Sequence, residues 1–125
     1  MAKQKFERNS IIELKNRKIK LLCLAGFMKI LSSNFIKNFG CKIINIHPSL
    51  LPKFKGTNTY KRVLKSNEIY SGCTVHFVTP KMDNGKIIFK KRVLIDKNET
   101  ENSLKNKILK QEHKLYSRSI ISILR

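Results

Sequence analysis

This chain of 125 residues is poor in acidic charge, in long apolar runs and in paired cysteines, and each shortage excludes something. Its longest apolar runs, such as Leu21-Leu22-Cys23-Leu24-Ala25, are about five residues, against the roughly 20 that a membrane-spanning helix needs. The opening "MAKQKFERNS" is basic, and the apolar core of a secretory signal does not follow it. Cys23, Cys41 and Cys73 are odd in number and form no C-x-x-C, which argues against a disulfide scaffold and against zinc. Each sits beside strand-like residues, so each is read as a small buried hydrophobe in a reducing, cytoplasmic protein. Acidic residues number 8 against 27 lysines and arginines, for a net charge of +19. Such an excess points toward anionic partners, nucleic acid first. Against that, the lysines outnumber the arginines, are scattered along the whole chain and lack interleaved aromatic stacking residues. Attraction to small anions survives this argument better than a dedicated nucleic-acid role.

What is present reads as one domain, with 41% hydrophobic and 28% charged residues and no internal repeat or low-complexity linker. Residues 4–17 carry Phe6, Ile11 and Leu14 in a weak helical pattern. "KIKLLCLA" (18–25) is the continuous apolar run of a strand buried on both faces. Gly26 breaks it, and "FMKIL" (27–31) reads as a loop. Ser32 or Ser33 caps a short helix with Phe35, Ile36 and Phe39, stopped by Gly40. "CKIINI" (41–46) is a second buried strand. After a proline-containing loop, Thr57 or Asn58 opens a helix with Tyr60, Val63 and Leu64 inward. "SGCTVHFVT" (71–79) is a strand, "PKMDNG" (80–85) a turn, and "KIIFKKRVLI" (86–95) one strand or two. A long helix follows, with Asn98 and Glu101 as a capping box and Leu104, Ile108, Leu115, Ile120 and Ile123 as its stripe. Strands alternating with helices at this spacing predict an α/β fold: a partial doubly wound, mostly parallel sheet with flanking helices. Such sheets usually begin with a strand and a Gly-rich phosphate loop; this chain begins with a helix.

Open α/β sheets bind ligands at the carboxyl ends of their strands. Three segments fall there: "GFMKIL", "NIHP" and "TPKMDNG". Asn45, His47 and Asp83 can therefore converge on one crevice. A carboxylate near an imidazole favours the charged ring and raises its pKa above about 6.5, and an amide donor nearby can stabilise an oxyanion. Each residue also fits a structural role: His47 as a post-strand histidine, Asp83 as a turn residue, Asn45 as a bond to loop backbone. His76, alternating with Val75 and Phe77, reads as a packed or hydrogen-bonded strand residue. His113 and Glu112 lie in the long helix with no role demanded by position. The histidines have no metal-ligand spacing. The loop "GFMKILS" offers an apolar slot with exposed backbone groups, suited to a flat heteroaromatic ligand.

Together "LAGFMKILS" (24–32), "NIHPSLLPKFKG" (45–56), "TVHFVTPKMDNGKII" (74–88) and "QEHKLY" (111–116) closely resemble the phosphoribosylglycinamide formyltransferases, folate-dependent enzymes of purine synthesis. The likeness covers roughly residues 5–124, nearly without gaps. Methionyl-tRNA formyltransferases and formyltetrahydrofolate deformylases share the Asn, His and Asp, but "HPSLLP", "LAGFM" and "VHFVT" look more like the glycinamide enzymes. The resemblance implies transfer of the formyl group of 10-formyltetrahydrofolate to the amine of glycinamide ribonucleotide. It implies His47 as general acid and oxyanion stabiliser, Asn45 as the group holding the formyl oxygen, and Asp83 as the partner that keeps His47 protonated and orders a water. It places the pterin against Leu24, Met28, Lys29, Ile30 and Leu31, with Thr79 to Asp83 on the other side. Glu112 matches a residue used toward the substrate ribose. No metal is implied.

This sequence departs from the family pattern mainly by lacking about 60 N-terminal residues, a strand, a phosphate-binding loop with an Asn, and a helix. Thr74 stands where Ser is common, Lys29 for Arg and Asn58 for His. The expectation is a domain over 1–125, N-terminally truncated relative to the family, with a separate N-terminal piece as a partner. Two competing readings are a formyltetrahydrofolate hydrolase or other relative, and a basic anion- or RNA-binding remnant of the fold.

Overall fold

The computed structural model describes residues 2–26 and 30–125. Helix α1 (Ala2–Asn16) leads into strand β1 (Leu21–Ala25). Helix α2 (Ser33–Phe39) connects to strand β2 (Lys42–His47), and helix α3 (Thr59–Lys65) follows. Strands β3 (Tyr70–Phe77) and β4 (Ile87–Leu94) come next, then the long helix α4 (Glu101–Leu124).

The four strands form one sheet in the order β1-β2-β3-β4. β1 and β2 are parallel, whereas β2 with β3 and β3 with β4 are antiparallel. The sheet is therefore mixed, which corrects the expected mostly parallel arrangement. The short 78–86 connection closes a hairpin and so makes β3 and β4 antiparallel, while β3 itself is buried on both faces. "KIIFKKRVLI" is a single strand.

Two cores lie on opposite faces. Ile44 and Ile46 of β2, Cys73 and Val75 of β3, and Val93 of β4 pack with Val63 of α3 and with Leu104, Ile108 and Leu115 of α4. On the other face Ile43 packs with Leu31, Phe35 and Phe39 of the α2 region, joined by Ile11 and Leu14 of α1 and Leu22 and Leu24 of β1. Because side chains alternate, Asn45 and His47 share the face of Ile43, and Thr74 and His76 project from β3 on that face too.

Local chemistry explains the helix ends. Ser32 caps α2 by accepting the Phe35 N–H, and Gly40 ends it in the left-handed conformation. The buried carboxylate of Glu7 on α1 accepts both the Ser32 N–H (2.9 Å) and the Ser32 hydroxyl (2.6 Å). Burial pushes the Glu7 carboxyl up, but the two Ser32 bonds and nearby Lys3 outweigh it, so the group ends below its ordinary value. Helix α4 is capped by Thr100 with Ser103, not by the expected Asn98 and Glu101, because Glu99 instead accepts the Asp96 N–H in the preceding turn. Cys73 is buried as expected, while Cys23 and Cys41 are exposed. Cys23 is exposed because β1 is an outer strand.

Candidate active site

The loop after β2 is built rather than loose. The Ser49 hydroxyl donates to the Lys53 carbonyl at 2.6 Å. Thr74 on β3 donates to the Ser49 carbonyl at 2.7 Å and accepts the Leu51 N–H at 3.1 Å. Both hydroxyl residues are fully buried. Arg62 of α3 donates to the carbonyls of Thr57 and Lys55 and lies over the Phe54 ring. These bonds hold a backbone in which Phe54 and Asn58 both adopt positive φ, an arrangement few non-glycine residues take unaided. Asn58 stands at the start of α3 without a side-chain capping bond.

The second wall is the turn between β3 and β4. Here Gly85 is required by close approach: a Cβ at this position would lie 1.6 Å from the Phe77 carbonyl oxygen. That approach lets the turn fold back over the sheet and aim Asp83 inward. Asp83 itself has φ of 50°. Its carboxylate accepts the Gly56 N–H at 2.8 Å, and Lys55 donates to Asn84 at 2.9 Å. The two loops thus clamp each other.

Asp83 lies between two histidines. His47 Nδ1 is 3.6 Å from one of its oxygens and His76 Nε2 is 3.7 Å from the other, with all three side chains under a tenth exposed. His47 Nε2 faces the Phe54 carbonyl at 2.8 Å, so this nitrogen carries a proton. His76 Nδ1 faces the Phe77 carbonyl at 2.9 Å. Asn45 is directly opposite His76 in the β2–β3 ladder. Its Oδ1 and the His76 Nε2 are buried without a hydrogen-bond partner among the described residues. Two orphaned polar atoms on facing residues, beside a buried imidazole and carboxylate, are a costly arrangement that a polar ligand would relieve.

Burial pushes the His47 pKa below the ordinary value, with His76 and Arg62 acting in the same direction, and this outweighs the Phe54 carbonyl and Asp83. Asp83 and the Phe54 carbonyl favour the charged ring, and burial opposes them.

The other anticipated residues divide. Leu24 and Leu31 are on the Asn45 face of the sheet, but Leu31 is buried in the core with Phe35 and Phe39. Ile30 is about half exposed. Met28 and Lys29 lie outside the described residues. Thr79 is bonded within its own turn, donating to the Lys81 carbonyl. Glu112 stands on α4 beside Tyr60 and Cys73, where burial lifts its carboxyl to about 7. Its field reaches those two residues, whereas the charges acting on His47 are Asp83, His76 and Arg62.

His76 is, as the sequence reads, a packed and hydrogen-bonded strand residue; its place opposite Asn45 and the part of Arg62 in the loop were not read. The signal for His76 was available: alternation sets Thr74 and His76 on one face, and an antiparallel pairing with "NIH" brings that face to Asn45 and His47. Arg62 carries no motif. Tyr116 was quoted only as part of a block; its hydroxyl donates to the Leu24 carbonyl at 2.6 Å, tying α4 to the carboxyl end of β1.

A family model described as formyl transferase matches residues 1–120. The chain belongs to the formyl transferase family. Among the family's curated members, the phosphoribosylglycinamide formyltransferase of Bacillus subtilis is 38% identical over 122 residues, covering 98% of this chain and 63% of that protein. The trifunctional purine biosynthetic protein adenosine-3 of Gallus gallus is 47% identical over 98 residues, 78% of this chain and 10% of that protein. Among solved structures, the phosphoribosylglycinamide formyltransferase of Bacillus halodurans superposes with a TM-score of 0.92 at 34% identity, covering 98% of this chain and 63% of that one. The chain thus spans under two thirds of these bacterial family members and about a tenth of the animal protein. Among the described residues no group of three or more His, Cys, Asp and Glu could hold a metal ion, and no helix is long and apolar enough to cross a membrane.

Proposed function

We propose that this chain carries the transfer half of a phosphoribosylglycinamide formyltransferase: it moves the formyl group of 10-formyltetrahydrofolate to the amine of glycinamide ribonucleotide, in the cytoplasm. The carrying observation is the convergence of Asn45, His47 and Asp83, with His76, in one buried cluster at the carboxyl end of β2. The names of the family's members supply the acceptor and the group transferred, and the family resemblance supplies the folate donor.

The chemistry asks for three things. The amine nitrogen attacks the formyl carbon and the carbonyl oxygen becomes an oxyanion. The bond from that carbon to the folate nitrogen then breaks, and one proton passes from the amine to that nitrogen. Asn45, at the carboxyl end of β2, is proposed to donate its side-chain Nδ2 to the formyl oxygen as charge develops, the effect of an oxyanion donor. His47 relays the proton. Its 3.6 Å gap to Asp83 is longer than a hydrogen bond, so Nδ1 is the ring atom open to engage. Asp83 stabilises the imidazolium that forms during transfer and sets the ring's orientation.

Leu24, Ile30 and Leu31 on one side, and Thr79 to Asp83 on the other, line the proposed pterin slot, to which the family resemblance also assigns Met28 and Lys29, outside the described residues. Glu112, half-buried on α4, is proposed to hold the ribose. The phosphate end of the substrate would be held by the family segment that this chain's matches do not cover, a separate N-terminal piece being the partner that brings it. Titrating the purified chain with 10-formyltetrahydrofolate by fluorescence or calorimetry tests the folate half of this reading. Saturable binding lost in Asp83→Ala supports it; absence of binding contradicts it.

A further inference from the structure

We infer that Arg62 is a positioning residue for Asp83, acting through the peptide group between Lys55 and Gly56. That group lies between two charges. Its carbonyl, on Lys55, accepts from Nη2 of the Arg62 guanidinium, and its N–H, on Gly56, donates to Asp83 Oδ2 at 2.8 Å. The same Oδ2 is the oxygen that faces His47 Nδ1. A trans peptide is planar, with its C=O and N–H pointing in opposite directions. A cation held on the oxygen therefore fixes where the N–H points and polarises it toward the carboxylate. Asp83 itself pairs with the two histidines and not with Arg62. Arg62 thus orients a carboxylate that it does not touch.

The loop needs such a clamp. Phe54, Gly56 and Asn58 have φ of 57°, 86° and 55°. For a residue such as Phe54 the left-handed region costs about 1–2 kcal/mol. Ser49 secures the entry to the loop, donating to the carbonyls of Lys53 and Phe54. The exit lacks the usual device, because Asn58 at the start of α3 makes no side-chain capping bond. One turn further on, Arg62 supplies the hold. Its Nε donates to the Thr57 carbonyl at 3.0 Å, and its guanidinium lies 5.7 Å from the Phe54 ring centre. The Lys55 and Thr57 carbonyls flank Gly56, the residue best able to let its peptide turn over, since glycine takes either sign of φ. Holding both carbonyls at a fixed angle suits the planar, forked donors of arginine; the ammonium of lysine offers a single point.

This deepens the transfer reading and rests on it only for the use made of Asp83; its test reads geometry in the chain itself. Amide exchange and nitrogen-15 spectra are recorded for wild type, Arg62→Lys, Arg62→Gln and Lys61→Gln, the last removing an exposed neighbouring charge on α3. In both Arg62 variants the Gly56 amide is expected to exchange faster by about tenfold or more, with the amides of β2 and β3 unchanged. In Arg62→Lys, which keeps the charge, the His47 ring should titrate lower as Asp83 loosens. The other groups acting on that ring, His76 and the Phe54 carbonyl, are untouched by the substitution. Lys61→Gln should alter neither readout. In an Asp83→Ala background, Arg62→Lys should speed Gly56 exchange by less than about threefold, because the acceptor is already gone. An unchanged Gly56 amide in either Arg62 variant, equal acceleration of all amides, or the same response in Lys61→Gln would overturn the proposal. A Gly56 response without formyl transfer by wild type leaves the positioning role standing and removes the catalytic reading, so the two failures are separable.

Discussion

The two outer strands of this sheet have opposite chemistry. β4 presents Lys90, Lys91 and Arg92, with Arg92 stacked over Tyr70 and Lys107 donating to the Leu94 carbonyl. It is a finished edge. β1 presents only Leu, Cys and Ala, half-covered, beside an open apolar groove. The site lies between them, on the strands that are complete. The difference teaches that most of the reactive cluster is held away from β1: His47, Asp83 and His76 sit on β2, β3 and their two loops, and only Asn45 has a β1 residue, Leu24, as its ladder neighbour.

The contrast can be broken by mutation. The largest effect is expected on the finished side. Leu104→Ala, at a fully buried core position shared by α4 and the sheet, should cost about 2–5 kcal/mol in denaturant unfolding. Glu7→Gln comes next. It weakens the bonds that join α1 to the start of α2, for an expected loss of about 1–3 kcal/mol. Glu7's pKa is lowered by folding, so its contribution is present above its ordinary value and lost as pH falls through the lowered one. The Gln variant should therefore melt closer to wild type in acid than at neutral pH.

A third effect is smaller and comes from His47. Its pKa is depressed in the folded state, so the unfolded chain binds the extra proton first. Stability is complete above about pH 6.5 and declines as pH falls below it, until the folded-state ring also protonates. His47→Gln should flatten that part of the stability–pH curve. Smallest of all, Cys23→Lys on the open edge should change the stability of this chain by no more than about 0.5 kcal/mol. If Cys23→Lys cost as much as Leu104→Ala, β1 would be a finished strand and the contrast would collapse.

Much of this was legible in the sequence. The apolar runs marked β1 and β2, Ser32 and Gly40 bounded α2, and the 3.6-residue stripe of α4 named Leu104, Ile108 and Leu115 as its buried face. "NIHP" and "DNG" located Asn45, His47 and Asp83, because strand ends and tight turns leave short-range marks. What failed depends on pairing, which is long-range. The apolar run at 21–25 declares burial but not that one side lacks a partner. The direction of β3 could not be read, so the packing of His76 was legible but not its register opposite Asn45. The depressed pKa of His47 depends on how deeply two loops cover the ring, a property of Ser49, Thr74, Arg62 and Gly85 acting together.

The central claim is that this cluster performs formyl transfer, and one comparison tests it most directly. Transfer from 10-formyltetrahydrofolate to glycinamide ribonucleotide is followed for the wild-type chain and His47→Ala, each saturated with the part of the Bacillus subtilis family member that lies outside the matched region. The account predicts transfer by wild type and a loss of about 10²-fold or more in the variant, with folate affinity within about threefold. Equal rates in the two proteins, or no transfer by the wild-type complex, would contradict it.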